Sequence, residues 1–445
     1  MRGTGTVVLL MTLIDLTTPV IRDTRLDSLP VAVIGAGPIG LAAAAHLVER
    51  GLDFVVIEAG DDIAASMRSW GHIRLFSAWR ELIDPAARRL LEASGWTAPG
   101  EPDSAPTGTE LVEGYLAPLA ELLRAHVRTG ATVDAVSRQG MDRTRSAGRA
   151  STPFVLRTRD RDGHVTELAA RAVIDASGTY RTANGLASNG LEPLGLAEVA
   201  EAVTHALPDV LGADRARFAG RHTTVVGAGH SAANTLINLA ALIEAEPGTR
   251  VTWVIRNRSA ARVFTGDDDQ LPRRSALGTR VLGLIDRGAI EVVDGFELIG
   301  LAARDGRVDV AGLRHGGVEH ITTDLVVNAT GFRPDLGMLR EIRLELDDVV
   351  EAPARLAPLI DPNVHSCGTV EPHGFAELEQ PEPNFFLAGM KSYGRAPTFL
   401  LATGYEQVRS ITAWLAGDVA AARNVELVLP ATGVCSTDAA GGCCR

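Results

Sequence analysis

Lys391 is the one lysine among the 43 lysine and arginine residues of the chain. It lies in the stretch GMKSYGRAPT, and lysine differs chemically from arginine because its ammonium is a compact point charge and not a planar fork of donors. One interpretation is that Lys391 is an incidental exception to an arginine-rich coding bias. The other is that the site requires an ammonium, for contact with a bound cofactor or an anionic substrate. The choice depends on what the surrounding loop touches.

Three glycines after a short apolar run have the spacing of a dinucleotide-binding turn. Gly35, Gly37 and Gly40 form the pattern G-x-G-x-x-G. The first glycine of such a turn permits the bend, the second lets backbone approach a pyrophosphate, and the third lets helix pack on strand. Pro38 is a further cofactor-binding candidate in this turn, and the Ala-rich stretch after the glycines is predicted to be a helix. The next apolar run ends in Glu58, which is placed to accept hydrogen bonds from ribose hydroxyls. These residues predict an FAD or NAD site.

The same pattern recurs in the segment TTVVGAGHSAANTLINLAALIEAEPGTRVTWVIRN. Gly227, Gly229 and Ala232 take the three turn positions, and the following predicted strand ends in Arg256, with Arg258 close by. Cations at this point can pair with the 2'-phosphate of NADP, where an acid would repel it. The second unit is therefore predicted to bind NADPH, the alternative being that both arginines are solvated loop cations.

Two further segments carry a predicted strand into a turn of small residues. They are AVIDASGTY (172–180) and LVVNATGFRPD (325–335), which contains Gly331. Such turns commonly mark where the chain passes between dinucleotide-binding domains. The similar LATGY (401–405) falls inside a helical pattern from 397 to 415 and is interpreted as a chance match.

Composition narrows the class of protein. The chain of 445 residues is 46% hydrophobic and 22% charged, which is typical of a globular protein with two or three domains. A net charge of -12 argues against binding to nucleic acid or anionic membranes. The apolar run near the N-terminus is too short to span a bilayer and makes a poor signal peptide. Four cysteines are too few for a disulfide framework, so a reducing cytoplasm is expected.

With these motifs the chain resembles two-dinucleotide-domain flavoproteins, which include flavin-containing monooxygenases and thioredoxin-reductase-like disulfide reductases. More narrowly, PDVLGADRARFAG, LIDPNVHSCGTVEPHG and GMKSYGRAPTFLLATGYEQVRS, with TGVCS in the tail, are similar to flavin-dependent monooxygenases of bacterial arsenic-resistance gene clusters. The resemblance implies an α/β fold with two Rossmann-like domains, bound FAD and NADPH, and a homodimer. It also implies these units: an N-terminal extension (1–29), an FAD domain (30–195 and 336–425), an inserted NADPH domain (196–335) and a cysteine-containing tail (426–445).

The resemblance also assigns residues to the flavin. A strand in NFFLAG would be followed by a helix from about Ala396, whose N-terminus would stabilise the anionic reduced flavin. Gly389, Met390 and Lys391 would lie in the loop before that helix, and Lys391 is hypothesised to contact the flavin, its ribityl chain or an anionic substrate.

The segment RSWGHIRLFSAW is expected to pass close to the flavin ring. Ser77 or His72 could then hydrogen-bond flavin N5 or O4, and a packed linker with one satisfied polar group is the alternative.

Three electron acceptors are open to the reduced flavin. A disulfide partner is disfavoured because the chain lacks a C-x-x-C pair. Oxygen would give a C4a-hydroperoxyflavin able to oxygenate a soft nucleophile such as a sulfide, an amine or a trivalent arsenical. The monooxygenase fingerprint F-x-G-x-x-x-H is incomplete, because His222 follows Phe218 too early. This argues strongly against Baeyer-Villiger chemistry and more weakly against ordinary monooxygenase activity. A quinone or other small acceptor is the third route.

The tail supplies the remaining chemistry. Cys435, Cys443 and Cys444 offer three thiols, the number that a trivalent metalloid favours, and soft ligands select soft acceptors. Cys443 and Cys444 could alternatively be a redox pair that the flavin reduces, which would make the protein an NADPH:disulfide or acceptor oxidoreductase. Two other interpretations are open. The protein could be a metalloid-binding flavoprotein with little turnover, or the tail cysteines could be incidental. Cys367 is a further soft contact in HSCGTVEPHG, or a buried inert thiol.

Overall fold

The computed structural model describes residues 26–258, 272–361, 372–397 and 399–427, and it is built around two five-stranded parallel sheets. In chain order the strands are β1 (Val31–Ile34), β2 (Phe54–Ile57), β3 (Val127–Arg128), β4 (Ala131–Arg138), β5 (Phe154–Asp160), β6 (Val165–Ala170), β7 (Ala172–Asp175), β8 (Val203–His205), β9 (His222–Val226), β10 (Arg250–Val254), β11 (Glu291–Val293), β12 (Glu297–Arg304), β13 (Arg307–Arg314), β14 (Gly317–Thr323), β15 (Leu325–Asn328) and β16 (Phe385–Leu387).

Helices cover and connect these strands. They are α1 (Pro38–Glu49), α2 (Ala65–Ser69), α3 (Trp79–Leu82), α4 (Pro85–Ala93), α5 (Gly108–Leu111), α6 (Ala117–Leu122), α7 (Arg215–Phe218), α8 (His230–Ala245), α9 (Pro272–Asp286), α10 (Ala357–Ile360), α11 (Phe375–Leu378), α12 (Leu401–Leu415) and α13 (Val419–Arg423). In the described part of the chain no helix has the length and apolar character needed to cross a membrane.

The first sheet has the strand order β16-β7-β1-β2-β3, and the second has the order β11-β10-β9-β15-β8. The first sheet takes its strands from both ends of the described chain, and the second takes all of its strands from the segment between β7 and β16. This is the connectivity of one dinucleotide-binding domain inserted into another. The domain limits proposed from the sequence stay predictions.

The sequence of β1 is a continuous apolar run because both faces of the strand are buried. Val31 and Val33 face the helices α1 and α12, whereas Ala32 and Ile34 face the antiparallel sheet β4-β5-β6. Successive strand residues point to opposite faces, so a strand covered on both sides has no position for a polar side chain. A second antiparallel sheet, β12-β13-β14, packs in the same way on the second domain.

The helix expected from about Ala396 begins later, at Leu401, so that prediction of its start is wrong. A 3-10 helix (Gly389–Tyr393) follows β16, and Gly394 then adopts φ +57°, a conformation that ends a helical turn. Leu400 is extended and occupies the N-cap position of α12, without a side-chain hydrogen bond to the helix. The LATGY stretch forms the first residues of that helix, which confirms its interpretation as a chance match.

A buried ion cluster joins the antiparallel sheet β4-β5-β6 to the segment before β16. Glu382 accepts hydrogen bonds from Arg138 Nε at 2.8 Å and from Arg149 Nε at 2.9 Å, and all three side chains are buried. Burial alone would raise the pKa of the Glu382 carboxyl, but hydrogen bonds from Arg149 and Arg138 outweigh it and hold the pKa below its usual value.

Replacing Glu382 with Ala is expected to lower the free energy of unfolding by about 3–5 kcal/mol, because it leaves two buried guanidinium groups unpaired. Since its pKa is lower in the folded protein, the carboxylate stabilises the fold above its unfolded pKa and loses that effect as pH falls through the folded value. Urea unfolding between about pH 3 and 7 measures both effects. Glu167→Ala, which breaks an exposed pair with Arg157, is the control and should cost about 0–1 kcal/mol. Equal losses in the two variants would contradict this account.

Candidate cofactor site

The first glycine turn has the geometry that its spacing predicts. Gly35 adopts φ +98°, and a Cβ there would lie 2.8 Å from the carbonyl oxygen of Ala176. A Cβ on Gly40 would lie 1.8 Å from the carbonyl oxygen of Gly35, so this position holds the helix against the turn. A Cβ on Gly37 would have no neighbouring atom within 4 Å. The middle glycine therefore faces open space, where a pyrophosphate could approach the amides at the start of α1.

Glu58, at the end of β2, is tied to this turn. Its Oε2 accepts the backbone N–H of Ala36 at 2.8 Å, and its Oε1 accepts the N–H of Gly60 at 2.7 Å. The carboxylate is buried yet lines the adjacent cavity. Each oxygen has a second lone pair, so the same carboxylate can accept ribose hydroxyls while it holds the loop. These residues fit the adenosine half of a dinucleotide.

One cavity of about 540 Å³ extends from the first turn to the second domain. Gly35, Gly37, Pro38 and Glu58 line one end, and His230 at the start of α8 lines the other. Its walls between these ends are mainly apolar. The apolar part of the lining includes Met67, Trp70, Ile73, Leu75, Phe76, Leu82, Leu207, Phe332, Met390, Phe399, Leu400 and Leu401.

The segment from 68 to 79 lies along this cavity and contacts the second domain. Ser77 is buried and lies on the cavity wall, whereas His72 is not part of the wall. Phe76 packs against the core of the second domain, and its ring lies 5.2 Å from the ring of His230. The position of Ser77 agrees with the prediction that this segment passes the flavin, and its hydrogen bond to the flavin stays a prediction.

The second glycine turn repeats the first. Gly227 adopts φ +135°, and a Cβ there would lie 2.1 Å from the carbonyl oxygen of Ala329. Nothing lies within 4 Å of the Cβ direction of Gly229, and Ala232 is fully buried where the third glycine would stand. Since α8 begins at His230, its first amides point toward the shared cavity. This turn fits a second dinucleotide.

Arg256 and Arg258 lie two and four residues beyond the end of β10, whereas Glu58 directly follows β2, so that the buried Ile255 takes the position equivalent to Glu58. Both side chains are exposed and neither lines the cavity. Arg256 Nη1 donates to the carbonyl oxygen of Ser188 at 3.0 Å, a contact that leaves other guanidinium donors available. Their pairing with a 2'-phosphate stays a prediction.

Residues near the C-terminal end of β16 divide between the cavity wall and the core. Met390 lines the cavity. Gly389 adopts φ +67°, and a Cβ there would lie 2.9 Å from the side chain of Ile39 in α1. Ala396 is buried and is not part of the wall, whereas the actual start of α12 at Leu401 is. Gly331 adopts φ +98° in the turn after β15.

Lys391 is 1% exposed and does not line the cavity. Its ammonium lies 2.7 Å from Asp175 Oδ2 and donates to Ser177 Oγ at 3.0 Å. Neither partner was expected from the sequence. One sequence feature pointed to the ion pair. Asp175 ends the apolar run AVID, and a charge buried with that run requires a counter-charge. Direct contact between Lys391 and flavin has no support in this geometry.

The cysteine predictions lie outside the described residues. This applies to Cys367 and to the three tail residues Cys435, Cys443 and Cys444. The metalloid site and the redox pair therefore stay predictions.

Comparison with family models matches residues 32–363 to the pyridine nucleotide-disulphide oxidoreductase family. The chain belongs to this family. No curated protein matches it. Among solved structures, a bacillithiol disulfide reductase from Bacillus cereus is similar, with TM-score 0.64, 20% identity and coverage of 87% of this chain and 99% of that chain. A doubly substituted flavin monooxygenase from Stenotrophomonas maltophilia has TM-score 0.55, 26% identity and coverage of 87% and 99%.

A third similar structure is a cadaverine monooxygenase from Erwinia amylovora bound to FAD, with TM-score 0.59, 14% identity and coverage of 91% and 99%. These likenesses confirm the predicted two-domain α/β fold. The family match, together with the two glycine turns, makes the chain an oxidoreductase with FAD and NADPH as cofactors. The link to arsenic is not part of these findings.

Substituting the two middle glycines separately should weaken the binding of one cofactor at a time. Gly37→Val is expected to weaken FAD binding at least about tenfold, because its side chain fills the space before the α1 amides, while the fold is retained. Gly229→Val should retain FAD and instead weaken NADPH binding. Isothermal titration with each cofactor, with thermal unfolding of the apoproteins as the control, measures this. Equal loss of both cofactors in both variants would contradict the assignment.

Proposed function

We propose that the protein is an NADPH-dependent FAD monooxygenase that oxygenates a soft nucleophilic small molecule, with a trivalent or organic arsenical as the candidate substrate. The observation that carries the proposal is the apolar wall of the cavity that the two domains share. A monooxygenase must keep water from its reactive oxygen adduct, and apolar walls serve this purpose. When bound, FAD would supply hydride acceptance from NADPH and reaction with oxygen.

The chain's own residues would hold and orient the two cofactors. Gly37 and Gly229 admit the pyrophosphates, and Glu58 offers its free lone pairs to a ribose. Phe76 bridges from the flavin side of the cavity to His230 at the start of α8. This bridge supports a nicotinamide position between the two domains, where hydride transfer to the flavin needs only a short distance.

The electron acceptor separates this proposal from disulfide reduction. The 26%-identical flavin monooxygenase favours oxygen, and so does the absence of a C-x-x-C pair from the sequence. The family name and the bacillithiol disulfide reductase favour a disulfide, for which Cys443 and Cys444 are the available thiols. Oxygen and a small-molecule substrate are the partners that we propose, and the homodimer stays a prediction.

The substrate class is supported by the charge of the cavity wall. Charged side chains on this wall are Glu58, which two backbone amides engage, and the exposed Arg74 and Arg181. Such a wall offers little to a cationic amine and accommodates a neutral or anionic molecule. Trivalent arsenicals and organic sulfides have this character, and the sequence resemblance to monooxygenases of arsenic-resistance clusters favours the former.

Oxygen chemistry is tested by mixing the anaerobically NADPH-reduced protein with oxygenated buffer in a stopped-flow spectrophotometer. We expect a transient that absorbs to the blue of oxidised flavin and decays faster when a trivalent arsenical or a sulfide is added. Direct return to oxidised flavin, with release of hydrogen peroxide, would contradict the proposal. The variant with Cys443→Ser and Cys444→Ser is the control, since it should leave the transient unchanged if the thiols are not the acceptor.

The preference for NADPH is expected to depend on Arg256 and Arg258. Replacing both with Ala should raise KM for NADPH about tenfold and leave KM for NADH unchanged, because only NADPH carries the 2'-phosphate. Arg287→Ala is the matched control, since Arg287 is also exposed and also donates to a carbonyl oxygen, at 3.1 Å. A parallel change in both KM values would contradict the assignment.

A further inference from the structure

The two domains contain turns of the same design after equivalent strands. In the flavin-side turn (Asp175–Ser177), Asp175 Oδ1 accepts the N–H of Ser177 at 3.1 Å and its hydroxyl at 2.6 Å. In the nicotinamide-side turn (Asn328–Thr330), Asn328 Oδ1 accepts the N–H of Thr330 at 3.2 Å and its hydroxyl at 2.7 Å. One side-chain oxygen therefore shapes each turn in the same way.

The second side-chain atom at these positions differs. Asn328 Nδ2 donates to the carbonyl oxygen of Asn184 at 3.0 Å, so the nicotinamide-side turn is complete without any charge. Asp175 has an oxygen in that place and cannot donate, and this oxygen faces the ammonium of Lys391 at 2.7 Å. The flavin-side turn thus contains a buried charge pair that its hydrogen-bond pattern does not require.

Such a pair is costly to bury. Desolvation of two charges commonly offsets their attraction, and a neutral pair of similar shape would be as stable or more stable. The same chain builds the neutral version of this turn in its other domain. Stability of the turn alone is therefore a poor explanation for Asp175 and Lys391.

The location of the pair supplies a better explanation. Ala176, Ser177 and Gly178 line the cofactor cavity directly after Asp175, and Met390 lines it directly before Lys391. Both charges thus lie one residue behind the wall, in a region where charges act strongly because water does not screen them. Lysine suits this place because its ammonium needs few acceptors, whereas the five donors of arginine would need more than Asp175 and Ser177 offer.

We propose that Lys391 and Asp175 are positioning residues that hold the flavin-side turn against the cofactor and balance the electrostatic potential at the flavin. The proposal rests on FAD in this cavity and is independent of whether oxygen is the acceptor. Loss of the ammonium leaves a negative charge that disfavours flavin reduction. Loss of the carboxylate leaves a positive charge that favours it. Loss of both leaves the neutral arrangement of the nicotinamide-side turn.

The test is the equilibrium constant for reduction of bound FAD against a reference dye, in the FAD-loaded full chain. We expect Lys391→Met to lower this constant about tenfold and Asp175→Asn to raise it about tenfold, the size expected for one unit charge near the flavin. The double variant should lie within about twofold of the parent protein, because the two effects cancel. Measurements from about pH 6 to 9 cover the charged form of each unpaired group.

Matched controls are Arg157→Met and Glu167→Gln, which remove the same charges from an exposed pair on the β5-β6 hairpin and should shift nothing. Equal constants in all variants, or a shift in the same direction in both single variants, would overturn the proposal, since a purely structural pair loosens the site whichever partner is lost. If the single variants fail to fold, the double variant decides. If the double variant binds FAD and its reduction constant equals that of the parent protein, the proposal is supported. If the double variant loses FAD, the proposal is overturned. A parent protein that binds no FAD would instead contradict the cofactor assignment.

Discussion

The fit of each glycine turn against a neighbouring strand end is the constraint on which the rest of the structure depends. Gly35 abuts the carbonyl of Ala176, and Gly227 abuts the carbonyl of Ala329, at distances that leave no room for a Cβ. These contacts bring the first amides of α1 and α8 to the carboxyl ends of their sheets. Since helix N-termini attract anions, the same contacts create the two phosphate-binding positions.

The shared cavity follows from how the two domains are joined. The turns after β7 and β15 carry the chain between the sheets, and the 68–79 segment places Phe76 against the second domain. The cavity wall is consequently contributed by both domains, with apolar side chains between the two phosphate positions. A cofactor pair held in this way would exchange electrons beside mainly apolar walls, which limit the access of water that the proposed monooxygenase reaction must avoid.

The sequence predicted those features in which one residue type has one local role. The apolar runs of β1 and β2, the glycine spacing and the position of Glu58 are of this kind, and the fold confirms them. The predicted start of α12 was wrong because Gly394 and the extended Leu400 interrupt a stretch with a helical pattern. The partners of Lys391 could not be found locally, since Ser177 is 214 positions away and meets it only where β7 and β16 pair.

A flavin at the first turn and a nicotinamide nucleotide at the second would exchange hydride across one cavity. Anaerobic titration of the FAD-loaded protein with NADPH, followed by visible absorbance, measures this transfer. We expect the absorbance of oxidised flavin to disappear as NADPH is added, and we expect Gly229→Val to abolish this loss while FAD stays bound. Flavin that remains oxidised in the parent protein at saturating NADPH would contradict the assignment of the two turns.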